Sequence, residues 1–180
     1  MEYKRILTIQ DISCYGQCSI TVALPILSAY GIETAILPSA ILSTHTAGFK
    51  DFTVLDLTEE MPKIINHWIN EGIKFDAIYT GYIGDVRQFD YILECKDKLL
   101  AEDGLFIVDP AMADHGKMYP ALNEDIIKGM KRICSVADYI MPNITEAAFL
   151  TGNEYKENYS FEYINNLLID LYKLGADNII

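Results

Sequence analysis

Between Arg5 and Ile180, compact apolar runs alternate with stretches of helical periodicity, and this alternation constrains the fold more than any other feature. "RILTIQDI" reads as a first strand, and a helix over Ser19–Tyr30 follows, closed by Gly31. "ETAILPSAIL" is a second strand and "STHTAGFKDF" a polar loop. The next helix covers Thr58–Glu71, with Asp56 and Glu59 at capping-box spacing and Gly72 as its stop. "FDAIYTGYIG" is a third strand, Val86–Leu100 a helix, "GLFIVDP" a strand, Glu124–Val136 a helix and "DYIMPN" a strand. Helices over Thr145–Leu150 and Ser160–Leu174 lead to a last strand start, "DNII".

Strands that are apolar along their whole length are buried on both faces, so the expected fold is a doubly wound, mostly parallel α/β sheet with helices on both sides. Ligands of such sheets gather beyond the C-terminal ends of the strands. Asp11, the loop after Leu42, Gly81–Tyr82, Asp109 and Asn143 all fall at such ends. At 180 residues and 51% hydrophobic composition, the chain can bury one core, so residues 1–180 read as a single domain. Because "DNII" begins a strand that has no continuation, the expectation is a chain truncated after Ile180, with the C-terminal part of the fold missing.

A formal net charge of −12 argues against a nucleic-acid partner, since phosphate contacts along a duplex need clustered Lys and Arg. It leaves room for a small phosphate-bearing ligand held by backbone N–H groups or a divalent cation. Cys14, Cys18, Cys95 and Cys134 form no C-x-x-C pair, and His45, His67 and His115 are scattered, so no zinc spacing is present. No apolar run is long enough for a membrane span and the N-terminus is a strand, not a signal peptide. The expectation is a soluble, cytoplasmic protein with reduced thiols.

G-x-x-x-x-G-K-[ST], G-x-G-x-x-G and G-x-S-x-G are all absent. What the chain does carry is a pair of acids at a strand end, in "FIVDPAMADHGKMYP". Pro110 keeps Asp109 extended, and Asp114 follows in the same loop. "PNITE" repeats the device with Asn143 and Glu146. Taken singly, these are an Asx-turn, a solvated acid and a capping box. Together they bring oxygen ligands to one sheet edge, which suits Mg²⁺ and bound phosphates. His45 in "STHT" and Tyr82 in "TGYIGD" are placed to meet a ring, although a loop histidine is more often structural or solvated and an aromatic at a strand end can merely cap the core.

Taken in order, "LTIQDISCYGQ", "LSTHTAGF", "YTGYIGD", "VDPAMADHGKMY" and "IMPNITEAAFLTG" resemble the pyridoxal and pyridoxamine kinases of the ribokinase-like superfamily. The resemblance implies ATP-dependent phosphorylation of the 5′-hydroxymethyl group of a B6 vitamer, with Mg²⁺ as cofactor and a homodimeric state. It implies substrate contacts from Asp11, Thr46 and Tyr82, where Asp11 replaces a serine frequent in relatives. It implies a nucleotide site built from Asp109, Asp114, Tyr119, Asn143 and Glu146, with Asp109 and Glu146 serving the metal. Ala113 stands where the family's acidic run carries glycine. The family's G-x-G-D, which supplies the catalytic aspartate and an anion hole, does not occur, so the base is expected beyond Ile180 and the 180-residue chain is expected to turn over poorly alone. Two rivals are a hydroxymethylpyrimidine kinase and a non-catalytic vitamer-binding protein lacking the base.

Overall fold

The computed structural model describes residues 4–46, 48–120 and 122–180. Its elements run β1 (Arg5–Ser13), α1 (Ile20–Ala29), β2 (Glu33–Leu42), β3 (Val54–Asp56), α2 (Met61–Asn70), β4 (Phe75–Thr80), α3 (Gln88–Leu99) and β5 (Leu100–Val108). They continue with β6 (Ala113–Asp114), β7 (Lys117–Met118), α4 (Glu124–Cys134), β8 (Tyr139–Ile140), α5 (Ile144–Thr151), α6 (Phe161–Leu174) and β9 (Asn178–Ile179).

Seven strands form one sheet in the order β3-β2-β1-β4-β5-β8-β9, parallel except for β3. From β1 the chain crosses through α1 to β2 on one side, whereas from β4 it crosses through α3 to β5 on the other. Parallel crossovers are right-handed, so reversing the direction puts α1 and α3 on opposite faces. The reversal also leaves a crevice beyond the ends of β1 and β4, which is where a doubly wound sheet binds its ligand.

The main core lies on the α3 face. Leu7, Ile9, Ile78, Phe106, Val108 and Ile140 are fully buried there against side chains of α2 to α6, such as Ile65, Ile92, Met130 and Leu171. Gly129 of α4 lets the Phe89 ring of α3 lie against its backbone; an added Cβ would come 2.1 Å from that ring. None of the described helices is long and apolar enough to cross a membrane.

Three local expectations are corrected. The polar stretch after Leu42 ends in β3, a three-residue strand paired antiparallel with Ala40–Leu42 and exposed along its length. Helix α2 starts later than Thr58, because Asp56 belongs to β3 and its Oδ1 accepts from Thr58 N at 2.7 Å, while Glu60 N and Met61 N turn back onto the Leu57 carbonyl. Asp56 and Glu59 therefore form no capping box. Finally, the loop after Asp109 contains the two-stranded hairpin β6–β7, whose two turn residues, His115 and Gly116, both have positive φ (49° and 75°). Such a two-residue turn matches the twist of its strands.

Candidate functional site

Where β1 ends, its pairing with β2 is irregular: Gln10 opposes Pro38 but Ile12 opposes Ile41, so β2 carries an extra residue beside Asp11. Bulges of this kind re-aim side chains. Asp11 is only 4% exposed and lines a cavity, where Ser13 Oγ donates to its Oδ2 at 3.1 Å. Next door, β4 leaves the sheet through Gly81, whose amide donates to the Ile9 carbonyl at 3.1 Å. A Cβ on Gly81 would sit 2.8 Å from the Gln10 side chain, so glycine permits this close exit. Tyr82 follows, half-buried, with its carbonyl accepting from Ser39 Oγ at 3.3 Å.

The cavity so formed has a volume of about 610 Å³, within the range of small-molecule sites. Asp11, Thr46 and Tyr82 line it together with Asp114 and Tyr119. His45 also lines it, edge-on to Phe49 with ring centroids 4.9 Å apart, and Phe49 meets Tyr15 at 5.9 Å. The His45 amide donates to the Tyr15 carbonyl at 3.3 Å, so the segments after β1 and β2 are fastened to each other beside the cavity. Burial raises the Tyr82 hydroxyl pKa, and the Asp11 charge adds to the effect. The phenol stays protonated at neutral pH.

A second cavity of about 360 Å³ shares Ser19, Tyr82 and Ala111 with the first. Its walls include Gln10, Tyr79 and Asp109 from the sheet and Ala23 and Ile26 from α1. Asp109 extends β5, its amide donating to the Thr80 carbonyl at 3.1 Å. Burial pushes its carboxyl up to about 6, opposed by a hydrogen bond from the Tyr79 hydroxyl. Tyr79 is in turn pushed up to about 12, mainly by burial and then by the Asp109 charge.

The sequence Asn143–Glu146 is a capping box in the full sense: Asn143 Oδ1 accepts from Glu146 N at 3.0 Å and Glu146 Oε2 from Asn143 N at 2.9 Å. It also anchors the hairpin. Asn143 Nδ2 donates to the Ala113 carbonyl at 2.8 Å, Met112 N to Glu146 Oε1 at 3.1 Å, and Gly116 N to Thr145 Oγ1 at 3.0 Å. Glu146 is 2% exposed, and burial pushes its carboxyl up to about 7 against the lowering effect of these amides. Tyr119 is pushed up to about 12 by burial and then by the charges of Glu146, Asp114 and Asp109.

The residues predicted from sequence thus divide into three groups. Asp11, Thr46, Tyr82, Asp114 and Tyr119 line one cavity, Asp109 lines its neighbour, and Asn143 and Glu146 line neither but hold the loop between them. Among the described residues, no three His, Cys, Asp or Glu side chains converge closely enough to form a metal cage. The donor chemistry still fits Mg²⁺, which commonly takes one or two carboxylates and completes its shell with water and substrate phosphates. Gln10 and Tyr79 were not anticipated. Their signal is a polar side chain at alternate positions within apolar strands, "TIQD" and "AIYT".

A family model described as phosphomethylpyrimidine kinase matches residues 24–180. The pyridoxal kinase of Dictyostelium discoideum is 26% identical over 182 residues, covering 98% of this chain and 58% of its own length. A Bacteroides thetaiotaomicron protein assigned to the phosphomethylpyrimidine kinases and crystallised with pyridoxal superposes with a TM-score of 0.93 at 38% identity, over 99% of this chain and 62% of its own. The pyridoxal kinase of Lactobacillus plantarum superposes with a TM-score of 0.88 at 33% identity, over 98% of this chain and 63% of its own. The chain therefore spans between 58% and 63% of the length of these relatives.

Proposed function

The chain belongs to the phosphomethylpyrimidine kinase family, and from that premise we propose that the protein transfers a phosphoryl group from ATP to the 5′-hydroxymethyl group of a B6 vitamer. One observation carries the reading. Asp11, Thr46 and Tyr82 face the same 610 Å³ cavity as Asp114 and Tyr119. Phosphoryl transfer demands an acceptor pocket and a phosphate pocket that open into each other, because its catalysis is mostly positioning and charge stabilisation. The kinship with pyridoxal kinases and with a protein crystallised with pyridoxal supports the vitamer as acceptor.

On this reading, Tyr82 lies along the vitamer ring and Thr46 hydrogen-bonds a ring substituent. Tyr119, kept protonated by its surroundings, donates to a phosphate oxygen. Asp109 would hold Mg²⁺, with Glu146 behind it fixing the loop and the waters of the metal; the cation supplies neutralisation of phosphate charge. Asp109 and Glu146, pushed towards protonation by burial, suit a cation that restores their charged forms. The segments joined at Tyr15, His45 and Phe49 keep water from the acceptor hydroxyl. No catalytic base is assigned within residues 1–180, where G-x-G-D does not occur; a homodimer and a cytoplasmic setting complete the proposal.

The family model's own description favours a second reading, in which the acceptor is a hydroxymethylpyrimidine. Phosphoryl transfer by the purified gene product, with ATP and Mg²⁺ and both acceptors at equal concentration, separates the two. The proposal expects a B6 vitamer to be phosphorylated faster; preference for the pyrimidine would replace it with the second reading.

A further inference from the structure

Asp11 is buried to 96% of its surface yet has no cationic partner: no ion pair among the described residues includes it. Its one hydrogen bond comes from Ser13 Oγ to Oδ2, and Oδ1 has none among the described residues. The described lining of the cavity holds two carboxylates, Asp11 and Asp114, and no Lys or Arg; His45 is the one side chain there able to carry positive charge. The oxygen that Ser13 leaves free lines the cavity, so a ligand cation entering there meets an unpaired carboxylate. The bulge in β2 beside it ties this carboxylate to a fixed backbone position, so the charge is presented at one place on the wall.

We propose that Asp11 selects for a ligand bearing an exocyclic ammonium group. Resting on the vitamer reading above, this makes pyridoxamine, whose 4′-aminomethyl group is protonated at neutral pH, the favoured acceptor over the uncharged 4′-hydroxymethyl of pyridoxine. A serine, which the family resemblance places here, offers a neutral hydroxyl that serves either substituent. An aspartate accepts a charge-assisted hydrogen bond from either substituent, but only the ammonium adds an ion pair to that bond.

The test is calorimetric titration of the full chain with pyridoxamine and with pyridoxine at neutral pH, repeated for Asp11→Asn and Asp11→Ser. The wild-type chain is expected to bind pyridoxamine roughly tenfold or more tightly than pyridoxine. Both variants are expected to reduce that ratio to about twofold or less, with unchanged circular dichroism confirming the fold. Binding of both vitamers with an unaltered ratio in the variants would overturn the inference alone. So would an equal loss for both vitamers, because the carboxylate would then serve a group they share. Failure of the wild-type chain to bind either vitamer would overturn the vitamer reading and this inference with it. The wild-type ratio needs no variant to be read.

Discussion

Glu146 accepts a hydrogen bond from the Met112 amide at 3.1 Å while its other oxygen closes the capping box on Asn143. One buried carboxylate thereby joins the first turn of α5 to the loop that carries Asp109 and Asp114, 34 positions away from Met112. Glu146→Ala leaves two amides without their acceptor, and each unsatisfied buried donor costs about 1–3 kcal/mol. The variant should lose about 2–6 kcal/mol of unfolding free energy in urea, and Glu146→Gln, which keeps one acceptor, markedly less. Wild-type stability in the alanine variant would refute this account of the loop.

Asp109 and Glu146 set a pH dependence whose sign is determined. Burial raises their folded pKa values from 3.8 and 4.5 to about 6 and about 7, so the folded state keeps protons that the unfolded chain has released. Their contribution is fully present below the unfolded values and is lost as pH rises through the folded ones. Asp76, Asp85 and Asp170, held low by hydrogen bonds from Lys4, Arg87 and Lys173, act in the opposite sense but only as pH falls below about 4. The melting temperature of the ligand-free chain should therefore fall between about pH 4 and about pH 7, and Asp109→Asn should flatten the fall. Identical pH profiles for wild type and variant would contradict the burial of Asp109.

The same two acids show what could be read from the chain alone. Strand alternation was legible because parallel strands covered on both faces are apolar throughout, as in "FIV" and "AIL". β3 was not, since Val54–Asp56 is short and exposed and exists only through its antiparallel pairing with β2. The hairpin escaped notice because His-Gly is a weaker turn signal than Asn-Gly or Asp-Gly. Strand ends and family motifs suggested Asp11, Thr46 and Tyr82 as one set and Asp109, Asp114, Tyr119, Asn143 and Glu146 as another. That Asp114 and Tyr119 line the cavity of the first set depends on how the hairpin loop folds back, which no local spacing encodes. The separate place of Glu146, beneath the loop rather than on the cavity wall, depends on a tertiary hydrogen bond that no local spacing encodes.

Gly116 is irreplaceable on two grounds. Its φ of 75° disfavours any side chain, and a Cβ would come 2.6 Å from the Tyr155 ring. Gly116→Ala should destabilise the chain by about 1–3 kcal/mol. His115→Asn, at the neighbouring position with φ 49°, should be neutral or stabilise by a few tenths of a kcal/mol, on the order of the Asn preference for that conformation. Thermal melts of the two variants check both; a neutral Gly116→Ala would remove the hairpin turn from the account.

Gly129 reports on the core rather than the site. With the Phe89 ring 2.1 Å from where a Cβ would stand, Gly129→Ala forces α3 and α4 apart and should cost about 1–3 kcal/mol, despite the better helix propensity of alanine. Equilibrium denaturation decides it. A stabilised variant would mean that propensity outweighs packing between these helices.

On the proposed reading, the 610 Å³ cavity at the ends of β1 and β4 accepts a B6 vitamer. The most direct test is calorimetric titration of the chain with pyridoxal, alongside Tyr82→Ala, with a hydroxymethylpyrimidine as comparison ligand. One pyridoxal should bind saturably per chain, tighter than the pyrimidine and weakened roughly tenfold or more by loss of the Tyr82 ring. Absence of pyridoxal binding, or binding indifferent to Tyr82, would contradict it.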